Sequence, residues 1–336
     1  MKNTTFWAPA GLVIAFAVAA NAQEGEPIEW TLSYLSLNGT IYQEAAQEIP
    51  DRIKAATNGK LVITSTSSLV AGNRLLEGVR DGIVQMSMPL PAYYTGTQPL
   101  FTVPSLPGIS ESYDDMKALT ASPYGAEVQQ LFVDDYNSTE LMQTAFCPQT
   151  VFSTEPMTTL EEWGGLKIRV NNRGTALIGA ELGATTVSLS AGEVLPALER
   201  GVIDAVITDS CWAYGAGFDA VITHAANWKL GSVLPAPVLV NNDAWAALSP
   251  ELQQILTTEF AVIEQDFEAR WRERAEALPT MWRDKGVEFT EITPEQNAEV
   301  YEGRFETPVL GAWREDMARV GLDAESTLAI ARDATK

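Results

Sequence analysis

The sequence predicts an α/β protein of two similar lobes, with a cleft between them and a long C-terminal helix bracing both. Three observations predict it. A strand–helix–glycine–strand pattern occurs twice, short apolar strands alternate with helices, and a helical apolar period runs from residue 250 to about 286. Strands buried on both faces read as apolar runs, and helices between them cover those faces. Two such units side by side leave a crevice beyond the carboxyl ends of their strands.

At the N-terminus, Lys2 and the apolar run 11–20 (GLVIAFAVAA) precede Ala20-Asn21-Ala22. This is the layout of a secretory leader, 1–22, with cleavage before Gln23, and it predicts a periplasmic mature protein. A run of about ten apolar residues is half of the roughly 20 that span a bilayer, so no direct membrane insertion is expected. In the first unit, Gly59-Lys60 opens LVIT (61–64), NRLLEGVRD (73–81) reads as a helix, Gly82 stops it, and IVQMSM (83–88) reads as a buried strand. In the second unit, Gly165 opens LKIRV (166–170), SAGEVLPALER (190–200) reads as a helix, and Gly201 leads into VIDAVIT (202–208). Ser190 and Glu193 form a capping box, Gly82 and Gly201 suit a left-handed helix end, and Pro196 predicts a local kink. Ser249-Pro250-Glu251 starts the long helix, which at 1.5 Å per residue is about 50 Å and crosses both lobes. Pro279 predicts a kink or break in it, and Asp323 caps a final helix from 324 to near 331.

Composition narrows the function. A net charge of -22 excludes nucleic acid as a partner, since phosphate binding needs a basic surface. Cys147 and Cys211 either form one disulfide, as an oxidising compartment permits, or stay as two buried thiols. His224 is the only histidine, and no serine sits in a GxSxG elbow. No HExxH, CxxC, EF-hand, Walker A or GxGxxG pattern is present, so neither a cofactor nor a metal is expected. An enzyme would have to rely on paired carboxylates, and the reading that remains is a binding protein.

The segments TNGKLVI…GNRLLEGVRDGIVQMSM, LKIRV and LGATTVSLSAGEVLPALERGVIDAVIT, in this order, resemble the substrate-binding proteins of TRAP transporters, the DctP-type family. The likeness runs from Trp30 to about Lys285. It implies a two-lobed periplasmic binding protein fold that captures a small organic carboxylate by hinge closure, with the transporter's membrane subunits as partners. By the family's layout, the first lobe comprises 23–145 and 235–273, and the second 146–234 and 274–336.

The resemblance places the family's carboxylate-pairing arginine on Arg169. A guanidinium fork matches a carboxylate and stays charged in a closed cleft, although a strand-end arginine also commonly pairs with a neighbouring acid. Arg74 falls where relatives carry a helix-entry arginine, or forms a surface ion pair. Thr208 stands where relatives often have Asn, with Asp209 next to it. Ala191 replaces a phenylalanine of sialic-acid-type members. Trp212 and Tyr214, with Tyr93 and Tyr94 across the cleft, are candidates to stack on a ligand or to fill the core, and Gln149 is a further polar candidate. The same fold serves as the ligand-binding partner of a sensor kinase, or less often as an enzyme scaffold.

Overall fold

A computed structural model describes residues 26–230, 233–301 and 308–336. The expected leader, 1–22, lies outside the described residues. The first stretch holds β1 (Ile28–Tyr34), α1 (Ile41–Ala56), β2 (Leu61–Thr66), α2 (Leu75–Arg80) and β3 (Met86–Met88). Two 3-10 turns, Pro91–Tyr94 and Pro99–Ser105, then lead to α3 (Tyr113–Thr120), α4 (Pro123–Tyr136) and β4 (Ser138–Ala145). A second stretch holds β5 (Gln149–Ser153), β6 (Lys167–Val170), α5 (Arg173–Glu181), β7 (Thr185–Ser188), α6 (Ala191–Glu199), β8 (Ala205–Asp209), α7 (Ser210–Gly215) and β9 (His224–Ala226). The chain returns on β10 (Pro235–Asn241) and passes through α8 (Asn242–Ala246), α9 (Pro250–Asp284) and β11 (Glu288–Thr290). It ends in α10 (Pro294–Tyr301), α11 (Pro308–Arg319) and α12 (Ala324–Ala334).

The strands form two sheets, ordered β2-β1-β3-β10-β4 and β11-β9-β5-β8-β6-β7. Each is mixed, where the sequence predicts parallel sheets. β10 runs antiparallel to β3 and β4, and β5 runs antiparallel to β8 and β9. The reversed strands flank the two crossings of the chain between sheets, one at 146–148 and the other just before β10. The crossings lie side by side: the Phe146 N–H donates to the Leu234 carbonyl at 2.9 Å. A strand that enters a lobe beside the one that leaves it must run against it, and a local apolar pattern carries no record of that direction.

The doubled pattern appears with shorter second strands. Gly82 and Gly201 both hold positive φ, +68° and +64°, and end their helices. Ile83 and Val202 just after them are 57% and 51% exposed, and pairing begins only at Met86 and Ala205. The chain spends those residues turning back from the helix end. At the start of α6 the Ser190 N–H and hydroxyl both donate to the Glu193 carboxylate, at 3.0 and 2.6 Å. α6 runs continuously through Pro196.

The 35-residue α9 also continues through its proline, Pro279, with no break. A mid-helix proline costs about 3 kcal/mol. Burial of Leu278 and Trp282 on either side offsets it, at about 1.5–3 kcal/mol for each large apolar side chain. The helix touches both sheets' lobes. Arg270 makes a two-pronged pair with Glu48 of α1, at 2.6 and 2.9 Å, and Arg52 of α1 pairs with Glu259 at 2.7 Å. Further along, the Trp271 indole donates to the Phe146 carbonyl in the crossing, and the Trp282 indole donates to Ser210 of α7, at 3.0 and 2.9 Å. Residues 308–334, expected in the second lobe, pack largely on the first: Trp313 donates to the Pro99 carbonyl at 3.0 Å and shares a core with Leu100, Leu119 and Tyr124.

The lobes meet where glycines let backbones approach. A Cβ on Gly215 of α7 would lie 2.2 Å from the Asn38 carbonyl oxygen, and one on Gly174 of α5 would lie 2.5 Å from Ser105 Oγ. Beside the second contact the Arg173 N–H donates to Thr95 Oγ1 at 3.0 Å.

Candidate functional site

Between the sheets, at the strand ends nearest the crossings, lies a cavity of about 390 Å³. Leu37, Leu90, Ala92 and Tyr93 line it from one side, and Gln149, Arg169, Asn171, Ala191, Thr208, Asp209 and Trp212 from the other. Phe146 and Leu234, from the two crossings, close its back. Tyr93, Asn171 and Ala191 continue into a wider, more open space beside Gly72 and Asn73, which forms the mouth. A second cavity of about 510 Å³ lies beyond Ala92 and Leu234, but no cationic side chain lines it. The cavity with Arg169 is therefore the candidate site.

β6 carries Arg169 between β7 and β8, and its side chain is only 1% exposed. Its Nε and one terminal nitrogen donate to the Leu189 carbonyl at 3.1 and 2.9 Å, and the other terminal nitrogen lies 3.5 Å from Thr208 Oγ1. Tyr93 stands against the guanidinium from across the cleft. Among the described residues no carboxylate lies within ion-pair distance of Arg169. Burial without a counter-ion lowers its proton affinity, against which the Tyr93 oxygen acts. A buried, unpaired guanidinium is costly unless an anion completes it.

Asp209 ends β8 and caps α7. Its Oδ1 accepts from the Trp212 N–H at 2.7 Å, and the Cys147 and Cys211 N–H groups also face the buried carboxylate, whose Oδ2 makes no well-aligned hydrogen bond among the described residues. Cys147 and Cys211 are joined by a disulfide, with Cα atoms 5.7 Å apart. Both sulfurs lie within 4.8 Å of the Asp209 carboxylate, but bonded to each other they offer no metal-binding thiolates. Gln149 faces the cavity and accepts through Oε1 from Asn171 Nδ2 at 2.9 Å. Trp212 serves both roles open to it, lining the cavity and packing edge-on against Phe218 with centroids 5.2 Å apart.

Burial pushes the Asp209 carboxyl up to about 7, with the Trp212, Cys147 and Cys211 N–H groups pulling the other way. A free aspartate titrates near 4, so the folded chain holds a proton that the unfolded chain has released. The contribution of this group to stability is therefore fully present below about pH 4 and is lost as pH rises towards 7. Glu140, on β4, is shifted in the same direction, also to about 7, and burial is again the main cause. Each tenfold change in proton affinity corresponds to about 1.4 kcal/mol. We expect the urea midpoint of the unliganded protein to fall between pH 5 and 8, and Asp209→Asn to flatten that slope. A slope unchanged by the substitution would contradict the burial argument.

Three candidate residues stand elsewhere. Arg74 is 64% exposed and lies 3.5 Å from Glu77, one turn away, so it forms the surface ion pair, while its neighbours Gly72 and Asn73 reach the mouth. Tyr94 is buried in the first lobe, where its hydroxyl accepts from the Leu76 N–H at 3.0 Å and donates to Glu77 at 3.2 Å. Successive side chains in a 3-10 turn point about 120° apart, so Tyr93 takes the cleft face and Tyr94 the core face. Tyr214 packs on Trp282 and lies outside the cavity. Asn171, Phe146 and Leu234 carry no motif that marks them. His224 bonds Thr223 through Nδ1 at 2.8 Å and does not line the cavity.

Comparison with known proteins agrees with the two-lobed fold. A solute-binding protein of Albidiferax ferrireducens is 25% identical over 223 residues, covering 66% of this chain and 65% of that one. A monocarboxylate 2-oxoacid-binding periplasmic protein of Nostoc is 26% identical over 268 residues, covering 71% and 67%. The chain thus spans about two thirds of the length of these relatives. The crystal structure of DctP7, a Bordetella pertussis extracytoplasmic solute receptor binding pyroglutamic acid, superposes with a TM-score of 0.81 at 21% identity, covering 91% of this chain and 99% of that one. Among the described residues no helix is long and apolar enough to cross a membrane. The profile of the bacterial extracellular solute-binding proteins, family 7 (DctP), matches residues 33–306, and the chain belongs to that family.

Proposed function

We propose that this chain is the periplasmic receptor of a TRAP-type importer, which captures one small organic carboxylate in the Arg169 cavity and presents it to the membrane subunits. The observation that carries this reading is the buried guanidinium of Arg169, which lines the cavity and has no carboxylate within ion-pair distance among the described residues. The relatives named above bind a 2-oxoacid and pyroglutamic acid, both carboxylates. No bond is made or broken: the cavity brings together an arginine, two amides and a carboxyl, without a nucleophile held by a base. Lobe boundaries at 145/146, 234/235 and 273/274 divide the strands as the two sheets do, with α11 and α12 lying back on the first lobe. Closure about the paired crossings would bury the ligand, as hinge motion does in two-lobed receptors.

A thermal-shift panel of small organic acids and their amides tests the reading. A ligand at 100 times its Kd stabilises the folded state by about 2.7 kcal/mol. The expected result is a raised Tm with at least one monocarboxylate and none with its amide. A panel in which no acid shifts the Tm, or amides match their acids, would overturn it.

A further inference from the structure

The second cavity, of about 510 Å³, lies between α4 and the β4–β10 ladder, and by the same measure it is larger than the one that holds Arg169. Phe101, Pro104, Tyr124, Val128, Phe132 and Pro237 give it an apolar interior. Ala92 and Leu234 form the wall between the two cavities, and carboxylate capture makes no use of the second. Among the side chains that line it, Glu140 alone carries a charge.

A break in strand register aims that carboxylate. On β4, Met142 pairs with Val238 and Glu140 with Leu239, so Leu141 is passed over and the strand bulges there. Side chains of a regular strand alternate, which would put Glu140 and Gln143 on opposite faces. The bulge resets the alternation, and both line the cavity. Glu140 has no ion pair among the described residues, and the bond its carboxylate accepts from Gln129 Nε2 is long, at 3.4 Å. Glu140 and Gln129 also line a hollow open to solvent, with Gln130, Val133 and Thr139. They therefore stand at a neck, with apolar space inside and water outside.

That arrangement selects by charge and by shape. An anion would meet Glu140, with Glu264 of α9 adding negative charge nearby and no cation on the lining to offset them. A neutral apolar molecule would fill the interior and leave the carboxylate at the neck unmatched. An ammonium on a short apolar body does both. Its N–H groups meet the Glu140 carboxylate and the amide oxygens of Gln129 and Gln143, while the body lies among the aromatic and proline side chains. The net charge of -22 draws such cations to the surface.

We infer that this cavity is a second ligand site, for a small primary amine with an apolar body, and that Glu140 is its counter-ion. The inference goes beyond the receptor reading and does not rest on it.

Isothermal titration at about pH 8, where Glu140 is ionised, tests it with benzylamine, cyclohexylmethylamine and 3-methylbutylamine, each beside the alcohol of the same skeleton. At least one amine is expected to bind about tenfold or more tightly than its alcohol. Glu140→Gln, which keeps the shape and removes the charge, should bring that amine to the level of its alcohol. Arg169→Ala should leave amine binding unaltered, which separates this cavity from the first. Should Glu140→Gln fold poorly, the comparison of amines with alcohols on the unaltered protein and on Arg169→Ala still decides. Amines that bind no tighter than their alcohols, or a preference that survives Glu140→Gln or vanishes in Arg169→Ala, would overturn the inference and leave the receptor reading standing. Failure of all the amines to bind would overturn it too.

Discussion

Arg169→Ala is expected to weaken carboxylate binding at least tenfold, which is 1.4 kcal/mol or more, while leaving the lobes folded. The guanidinium is buried, held in place by the Leu189 carbonyl, and without a carboxylate partner of its own among the described residues. Charge-assisted bonds in a closed, low-dielectric cleft are about twice as strong as neutral ones, and the planar fork meets both oxygens of a carboxylate. Arg169→Lys should recover only part of the loss, since an ammonium on a flexible stem cannot make two parallel bonds. Arg169→Met separates binding from folding. It keeps side-chain volume and removes an uncompensated buried charge, so the unliganded protein should be no less stable than the parent. Titration followed by the fluorescence of Trp212, which lines the cavity, reads the affinity. Unaltered affinity in Arg169→Ala would remove Arg169 from the site.

Opening the disulfide should have the largest effect on stability. Cys147 and Cys211 are 64 residues apart, and closing a loop of that length restricts the unfolded chain by about 4 kcal/mol. Paired Cys147→Ser and Cys211→Ser substitutions should lower the denaturant midpoint correspondingly. They should also loosen ligand binding, because the bridge joins the crossing at Cys147 to the start of α7, where Asp209 and Trp212 sit. Denaturation and titration of the double variant read both effects. A midpoint equal to that of the parent would mean that the bridge constrains nothing the fold does not already hold.

The legible parts of the fold were those governed by neighbours within a turn or two. Ser249 and Pro250 marked the start of α9, Gly82 and Gly201 the ends of two helices, and Asp323 the cap of α12. Of the kink or break expected at Pro279, the break does not occur, since the proline's penalty is local while the packing of Leu278 and Trp282 that outweighs it is not. Arg74 takes one of the two roles open to it: its place at a helix entry is set by sequence, and the side chain leans to Glu77 and solvent.

The sequence by itself determined two lobes and the long brace, because helix caps, left-handed glycines and motif order act over short spans. Only the tertiary structure decided that Tyr93 and not Tyr94 faces the cleft, that Phe146 and Leu234 close it, and that the Asp209 carboxylate lies buried beside the disulfide. Those facts join residues from opposite lobes and both crossings. Their positions depend on how two sheets meet, which no run of neighbouring residues encodes.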